Sequence, residues 1–277
     1  MTRSRSLWFV VSTLWFSASA PPQRPHAGDP GALAGGGGGF SSPIRLQDEP
    51  ASRTHFRMGL MLAGGGFEHD TEGSSLADET GGAYFRLAFE GVSDAGFGGG
   101  VRLEGAASDD NLFEGTGFPA SQATDGELFA FGSYCMRARR FEMPIRAGFF
   151  FKDYSLEEQV SGGTVDWTAF GGRVEVEPEV FLIEGEGFRW GLYTRLSGGG
   201  GSGQVDTDPT TIGEADTDMS VFDAEIGTRW RLRHVDFGFG FLYRRASWDQ
   251  SDPVGPNFYR QADEEFSGFL LSIAARF

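Results

Sequence analysis

The sequence predicts an all-β protein, a closed antiparallel β-barrel whose strands cross a lipid bilayer, with ten strands. Three observations lead there. Apolar residues recur at every second position through most of residues 53–277, the period of a strand with two unlike faces. The connections between these segments alternate between short and long. The last segment ends on an aromatic: Phe269, Leu271, Ile273, Ala275 and Phe277 share one face, and an exposed ring has a place against lipid that water does not offer.

The composition is consistent with that expectation. The 277 residues suffice for one or two domains. Glycine is abundant, at 43 residues, and weakens helix interiors by about 1 kcal/mol relative to alanine. The net charge of −16 argues against a nucleic-acid partner, because neutralising phosphates requires a basic surface. Cys135 stands alone, so there is no disulfide framework. Residues 1–20 read as an export signal, with Arg3 and Arg5 before an apolar run from Leu7 to Phe16 and Ala18-Ser19-Ala20 as the cleavage site. That run is too short to span a bilayer as a helix, which takes about 20 residues. Residues 21–52, rich in proline and glycine, read as a flexible periplasmic leader with too little apolar surface to fold. The barrel is assigned to residues 53–277.

Ten segments follow in order. Phe56, Met58, Leu60 and Leu62 oppose His55 and Arg57. Ala83, Phe85, Leu87 and Phe89 oppose Tyr84, Arg86 and Glu90. Phe97, Val101 and Leu103 oppose Arg102 and Glu104. Leu128, Ala130, Tyr134 and Met136 oppose Glu127, Ser133 and Arg137, while Phe129 and Phe131 blur the contrast. Met143, Ile145, Ala147, Phe149 and Phe151 oppose Arg146 and Lys152. Phe170, Val174, Val176 and Val180 oppose Arg173, Glu175, Glu177 and Glu179. Phe188, Trp190, Leu192 and Leu196 oppose Arg189, Tyr193 and Arg195. Phe222, Ala224, Ile226, Trp230 and Leu232 oppose Asp223, Glu225, Arg229 and Arg231. Val235, Phe237, Phe239, Phe241 and Tyr243 oppose Asp236 and Arg244. The terminal segment closes the set.

Short turns fall near 91–96, 139–142, 184–187 and 232–235, and long polar loops near 67–80, 106–126, 153–164, 197–218 and 246–265. An even strand count with short turns at one end and long loops at the other is the arrangement of transmembrane barrels. Eight strands follow if the fourth and fifth segments pack differently, and twelve if the leader contributes. On the alternating strands, the export signal and Phe277, the chain resembles the bacterial outer-membrane β-barrel family over residues 53–277. It departs from the family at Ala275, where an aromatic is common. The resemblance implies a bacterial outer-membrane location, contact with outer-membrane lipid and lipopolysaccharide, and delivery to the barrel assembly machinery through the C-terminal strand. Oligomeric state stays open.

The charges divide into two populations. The inward faces carry Arg86, Glu90, Arg102, Glu104, Arg173, Glu175, Glu177, Glu179, Arg189, Arg195, Asp223, Glu225, Arg229, Arg231 and Arg244. A barrel of this size is nearly filled by its own side chains, so an ion-paired lumen is expected. The five long loops hold 22 acidic residues against one basic, Arg260. Their first reading is a solvated outer surface. A Ca²⁺ site is the alternative, from Asp206, Asp208, Glu214, Asp216 and Asp218, because hard cations take clustered oxygens. The spacing is not that of an EF-hand, and no other cofactor is indicated. Trp167, Trp190, Trp230, Tyr243 and Trp248 fit aromatic girdles at the two interfaces.

No catalytic motif emerges. Glu68, His69 and Asp70, with Asp109, Asp110, Asp206 and Asp208, supply the residue types of an omptin-like protease. His55 with a nearby serine supplies those of a lipid A-modifying enzyme. The expected role is a structural or surface-exposed envelope barrel without catalytic activity. A narrow porin-like channel and an envelope enzyme are the alternatives.

Overall fold

The computed structural model describes residues 54–71, 77–114, 120–158, 163–208, 215–250 and 261–277. The export signal and the leader lie outside the described residues. Eleven strands are present among them: β1 (Thr54–Thr71), β2 (Ala77–Ser93), β3 (Phe97–Ser108), β4 (Ser121–Ala138), β5 (Phe141–Glu158), β6 (Thr164–Val176), β7 (Glu179–Gly185), β8 (Phe188–Asp208), β9 (Ala215–Leu232), β10 (Val235–Gln250) and β11 (Gln261–Arg276).

Each strand pairs antiparallel with its neighbours, and β1 pairs with β11 to close the barrel. The closure runs in register from Arg57↔Arg276 to Thr71↔Ala262. It ends where Phe277 N donates to Phe56 O at 2.9 Å and Phe56 N donates to Phe277 O at 3.2 Å. Closure gives both edges of the sheet a partner, as lipid requires. The barrel has ten places rather than eleven, because β6 and β7 share the place between β5 and β8. Pro178 separates them: proline has no N–H for the ladder. Neighbours bridge the break, Glu177 N donating to Pro144 O and Thr194 N to Pro178 O, each at 3.0 Å.

The barrel is inside-out relative to a water-soluble protein. Leu62, Phe85, Leu87, Phe149, Phe170, Ile226, Phe239, Phe269 and Leu271 are exposed on the outer wall, while arginines and carboxylates are buried within. That distribution is the architecture of a transmembrane barrel.

The strands are taller than a bilayer needs. An 18-residue strand such as β1 is about 60 Å long at 3.3 Å per residue, and about 45 Å tall at a 40° tilt, against a hydrocarbon core near 30 Å. The excess lies at the long-connection end, where the outward positions turn acidic at Glu68, Asp70, Asp216 and Asp218. Much of what reads as long loop in the sequence is therefore paired strand. The alternation continues there with polar residues outside, and period-two hydrophobicity no longer marks it.

Glycines admit close approach where the wall is tightest. A Cβ built on Gly171, which faces inward, would collide with the carbonyl oxygen of Gly200, whereas at outward Gly172 the nearest atom, Gly148 O, is 3.9 Å away. Gly171→Val should therefore lower the heat-modifiable folded fraction several-fold on gels without boiling, while Gly172→Val should fold like the parent. Equal folded fractions would contradict the close approach.

Candidate functional site

The lumen is filled by one continuous ion-pair network. Glu104 on β3 is its centre: it accepts from Arg86 Nε at 2.8 Å and Arg244 Nη1 at 2.8 Å, and Arg102 Nε lies 2.6 Å away. Glu104 stands directly opposite Glu127 on β4, a like-charge pairing that is unfavourable alone. Arg244 resolves it by donating Nη1 to Glu104 and Nη2 to Glu127 at 2.8 Å each, a use of the guanidinium fork that an ammonium lacks. Arg173 donates to Glu127, to Asp223 and, at 2.5 Å, to Ser197 Oγ. Glu225 accepts from Arg86 at 2.9 Å, Arg195 at 3.0 Å and the Tyr193 hydroxyl at 2.7 Å.

Toward the short-turn end, Arg146 donates to Glu175 at 2.6 Å, Glu177 at 2.7 Å and Glu90 at 2.8 Å. Arg229 lies 2.7 Å from Glu177 and 2.8 Å from Glu179, its guanidinium 4.2 Å from the centre of the Tyr193 ring. Phe129, fully buried, has the Arg102 and Arg173 guanidinium groups 5.0 and 5.6 Å from its ring centre. The ring's negative face attracts both cations.

Above the network the interior changes character. Lys152 bridges Asp125 and Glu264. Beyond it Phe67, His69, Tyr154, Trp167, Trp248 and Phe266 form a buried aromatic core. His69 Nδ1 is 2.5 Å from the Tyr154 hydroxyl, and the two rings stack at 5.7 Å. The β3–β4 connection folds inward over this core. Leu112 and Phe113 are buried, Leu112 bridges to Ser121, and Phe113 N donates to Asp78 Oδ2 at 2.5 Å. Phe113 has a φ of 68°, a conformation bulky residues seldom adopt, and its ring contacts His69 edge-on at 5.7 Å.

Most of the sequence-predicted lumen residues meet in this network: Arg86, Glu90, Arg102, Glu104, Arg173, Glu175, Glu177, Glu179, Arg195, Asp223, Glu225, Arg229 and Arg244 are all buried. Arg231 is largely buried at the rim and donates to Glu142 at 2.6 Å. Arg189 departs from the expectation. Its side chain is 46% exposed at the short-turn rim, 3.4 Å from Glu142 and 3.6 Å from Glu184. Arg137 is exposed at the same end.

Other expectations are corrected. His69 does not share a face with Glu68 and Asp70. They lie on β1, and strand alternation turns His69 inward while its neighbours face out. Asp109 and Asp110 are exposed. His55 is exposed at the short-turn end, 2.9 Å from Asp94 Oδ1. Trp167 and Trp248 are fully buried in the upper core and belong to no girdle, whereas Trp190, Trp230 and Tyr243 remain toward the outer wall. Of the metal candidates, Asp206, Asp216 and Asp218 project outward from β8 and β9, while Glu214 and the Asp208 side chain lie outside the described residues. Among the described residues no three histidine, cysteine or carboxylate side chains gather to hold a metal ion.

Asp125, Glu264 and His69 are interior residues that fall in the long loops of the sequence reading. The usable signal is continued alternation: Ala262-Glu264-Phe266 and Asp125-Glu127-Phe129 keep one face small, charged or aromatic as the strand runs on into the polar region.

The arrangement holds charge, fills space and fixes register. Removing one buried partner leaves the other uncompensated, at about 3–5 kcal/mol. Glu104→Leu should therefore lower the urea unfolding stability in detergent micelles by that order, while Arg189→Ala at the exposed rim should cost less than about 1 kcal/mol. Equal losses would refute the central role of Glu104.

No protein-family model matches the chain. No curated protein matches it by sequence. Among solved structures, the chain is similar to the outer membrane protease OmpT from Escherichia coli, at 9% identity and a TM-score of 0.47, over 83% of this chain and 97% of that one. It is similar to a deltaS2 mutant of TodX, a monoaromatic hydrocarbon channel, at 10% identity and a TM-score of 0.35, over 85% and 92%. It is also similar to Ail, the attachment invasion locus protein of Yersinia pestis, in complex with the heparin analogue sucrose octasulfate, at 11% identity and a TM-score of 0.32, over 80% and 99%. Activities named for those proteins differ from one another, and at these identities the likeness is one of fold.

Proposed function

We propose that the chain is a sealed outer-membrane barrel, a structural or surface-exposed envelope protein without catalytic activity. In this reading it is exported by its N-terminal signal, inserted through its C-terminal strand by the barrel assembly machinery, and surrounded by outer-membrane lipid and lipopolysaccharide. The acidic outward ends of the strands face the exterior. The observation that carries the reading is the filled lumen, in which the Glu104-centred pairs and the aromatic core beneath Phe113 stand in series. Water needs both space and polar partners, and a buried aromatic layer stacked on the ion pairs offers a permeating solute no continuous path. The separation of His69 from Asp70 across the β1 wall speaks against the protease reading.

The test is single-channel recording of the purified full-length protein in planar bilayers. No discrete conductance steps are expected from the parent. The double variant Arg173→Ala, Arg244→Ala combined with Trp167→Ala should open steps by emptying both layers. Regular steps from the parent protein would favour the narrow conduit instead. Cleavage of a peptide library that is abolished by His69→Ala would overturn the non-catalytic assignment.

A further inference from the structure

The lower lumen contains a cavity of about 90 Å³, room enough for a small ligand of a few atoms. It exists where the wall of β11, β1 and β2 carries small inward residues, Gly59, Ala88, Ser272 and Ala274, beside Arg57, Arg86 and Arg102. Five guanidinium groups line it against four carboxylates. All four carboxylates are already engaged: Glu90 and Glu177 by Arg146, Glu225 by Arg86, and Asp236 by Arg276.

The donors are not. Arg102, 4% exposed, spends Nη1 on Glu175 at 2.6 Å and holds Nε 2.6 Å from Glu104, while its Nη2 has no hydrogen-bond partner among the described residues. Arg57 Nε, on the same wall, also makes no hydrogen bond among them and lies 3.5 Å from Asp236 Oδ2. The unpartnered polar atoms lining the cavity are thus all cationic N–H donors. A buried donor without an acceptor is costly, and a charged one more so. A cation offers these donors no acceptor, and a charged acceptor meets a guanidinium N–H about twice as strongly as a neutral one.

We propose that this cavity is a binding site for a small monovalent anion, chloride or a short carboxylate, held by Arg102 and entered from the short-turn end. The cavity beside these small residues sets the size limit, so a bulky sulfonate of the same charge is excluded by shape.

The test uses the full-length protein refolded in chloride-free detergent micelles. The urea unfolding midpoint is followed while sodium acetate is titrated against sodium MES at equal ionic strength. An anion that binds the folded state raises the midpoint with saturation, whereas bulk screening affects both salts alike. Acetate is expected to give a saturable rise and MES none, with chloride competing for the same effect. Arg102→Gln should weaken the apparent acetate affinity at least tenfold. Ala88→Leu, which fills the cavity and leaves every charge in place, should do the same even if Arg102→Gln fails to fold. A rise of equal size with MES, no saturable response to acetate, or an undiminished response in Ala88→Leu would overturn the proposal.

Discussion

Charge buried in a narrow closed lumen must be compensated there, and much of this structure follows from that constraint. Transferring an ion from water into a low-dielectric interior costs several kcal/mol even after relaxation, so each carboxylate needs a cation and each cation a carboxylate. Arginine meets this need better than lysine because its planar fork serves two acids at once, as Arg244 serves Glu104 and Glu127. The single lysine occupies a place where one ammonium bridges two carboxylates, Asp125 and Glu264. Because the partners come from strands distant in sequence, a one-residue slip anywhere would turn charges toward lipid. The network therefore specifies register as much as it stabilises it.

The remaining features fill the two ends of the lumen. At the short-turn end the break at Pro178 is followed by Phe181, fully buried, with Arg189 and Arg231 stacked 5.0 and 4.9 Å from its centre. At the long-connection end Phe113 closes the aromatic core in a backbone conformation costing of order 1–3 kcal/mol, offset by the burial of its ring. Between these two ends the open volume lies beside Gly59 and Ala88, a stretch of wall whose inward residues are small. The same residue economy that fills most of the lumen leaves a pocket whose free groups all carry positive charge.

Much of the barrel is legible in the amino-acid pattern. Alternation from Phe237 to Tyr243 and from Phe269 to Phe277 marks strand, face and period together, since lipid outside and charge inside give the strongest contrast a strand can have. The contrast fades where strands rise above the bilayer. There Glu264 and Asp263 look alike in sequence, although one is buried against Lys152 and the other is paired outside with Arg245 at 2.9 Å. Trp167 and Trp248 mislead for a related reason: a tryptophan near a strand end suits an interface girdle and a buried core equally well, and only its parity within a strand of known extent separates them. His69 beside Asp70 looks like a catalytic pair, yet adjacency along a strand is separation across a sheet.

By itself, then, the sequence determined the class of the fold, its approximate strand number, its lipid-facing wall and the charged identity of its interior. Those properties follow from local periodicity, which a chain carries residue by residue. Only the tertiary structure decided which arginine meets which carboxylate, that an aromatic core sits above the ion pairs, and that Arg102 retains a free donor beside a cavity. Such facts depend on ring closure between β1 and β11 and on side chains meeting across the lumen from strands distant in sequence, as Arg244 meets Glu104 from 140 residues away. No local pattern encodes those distances.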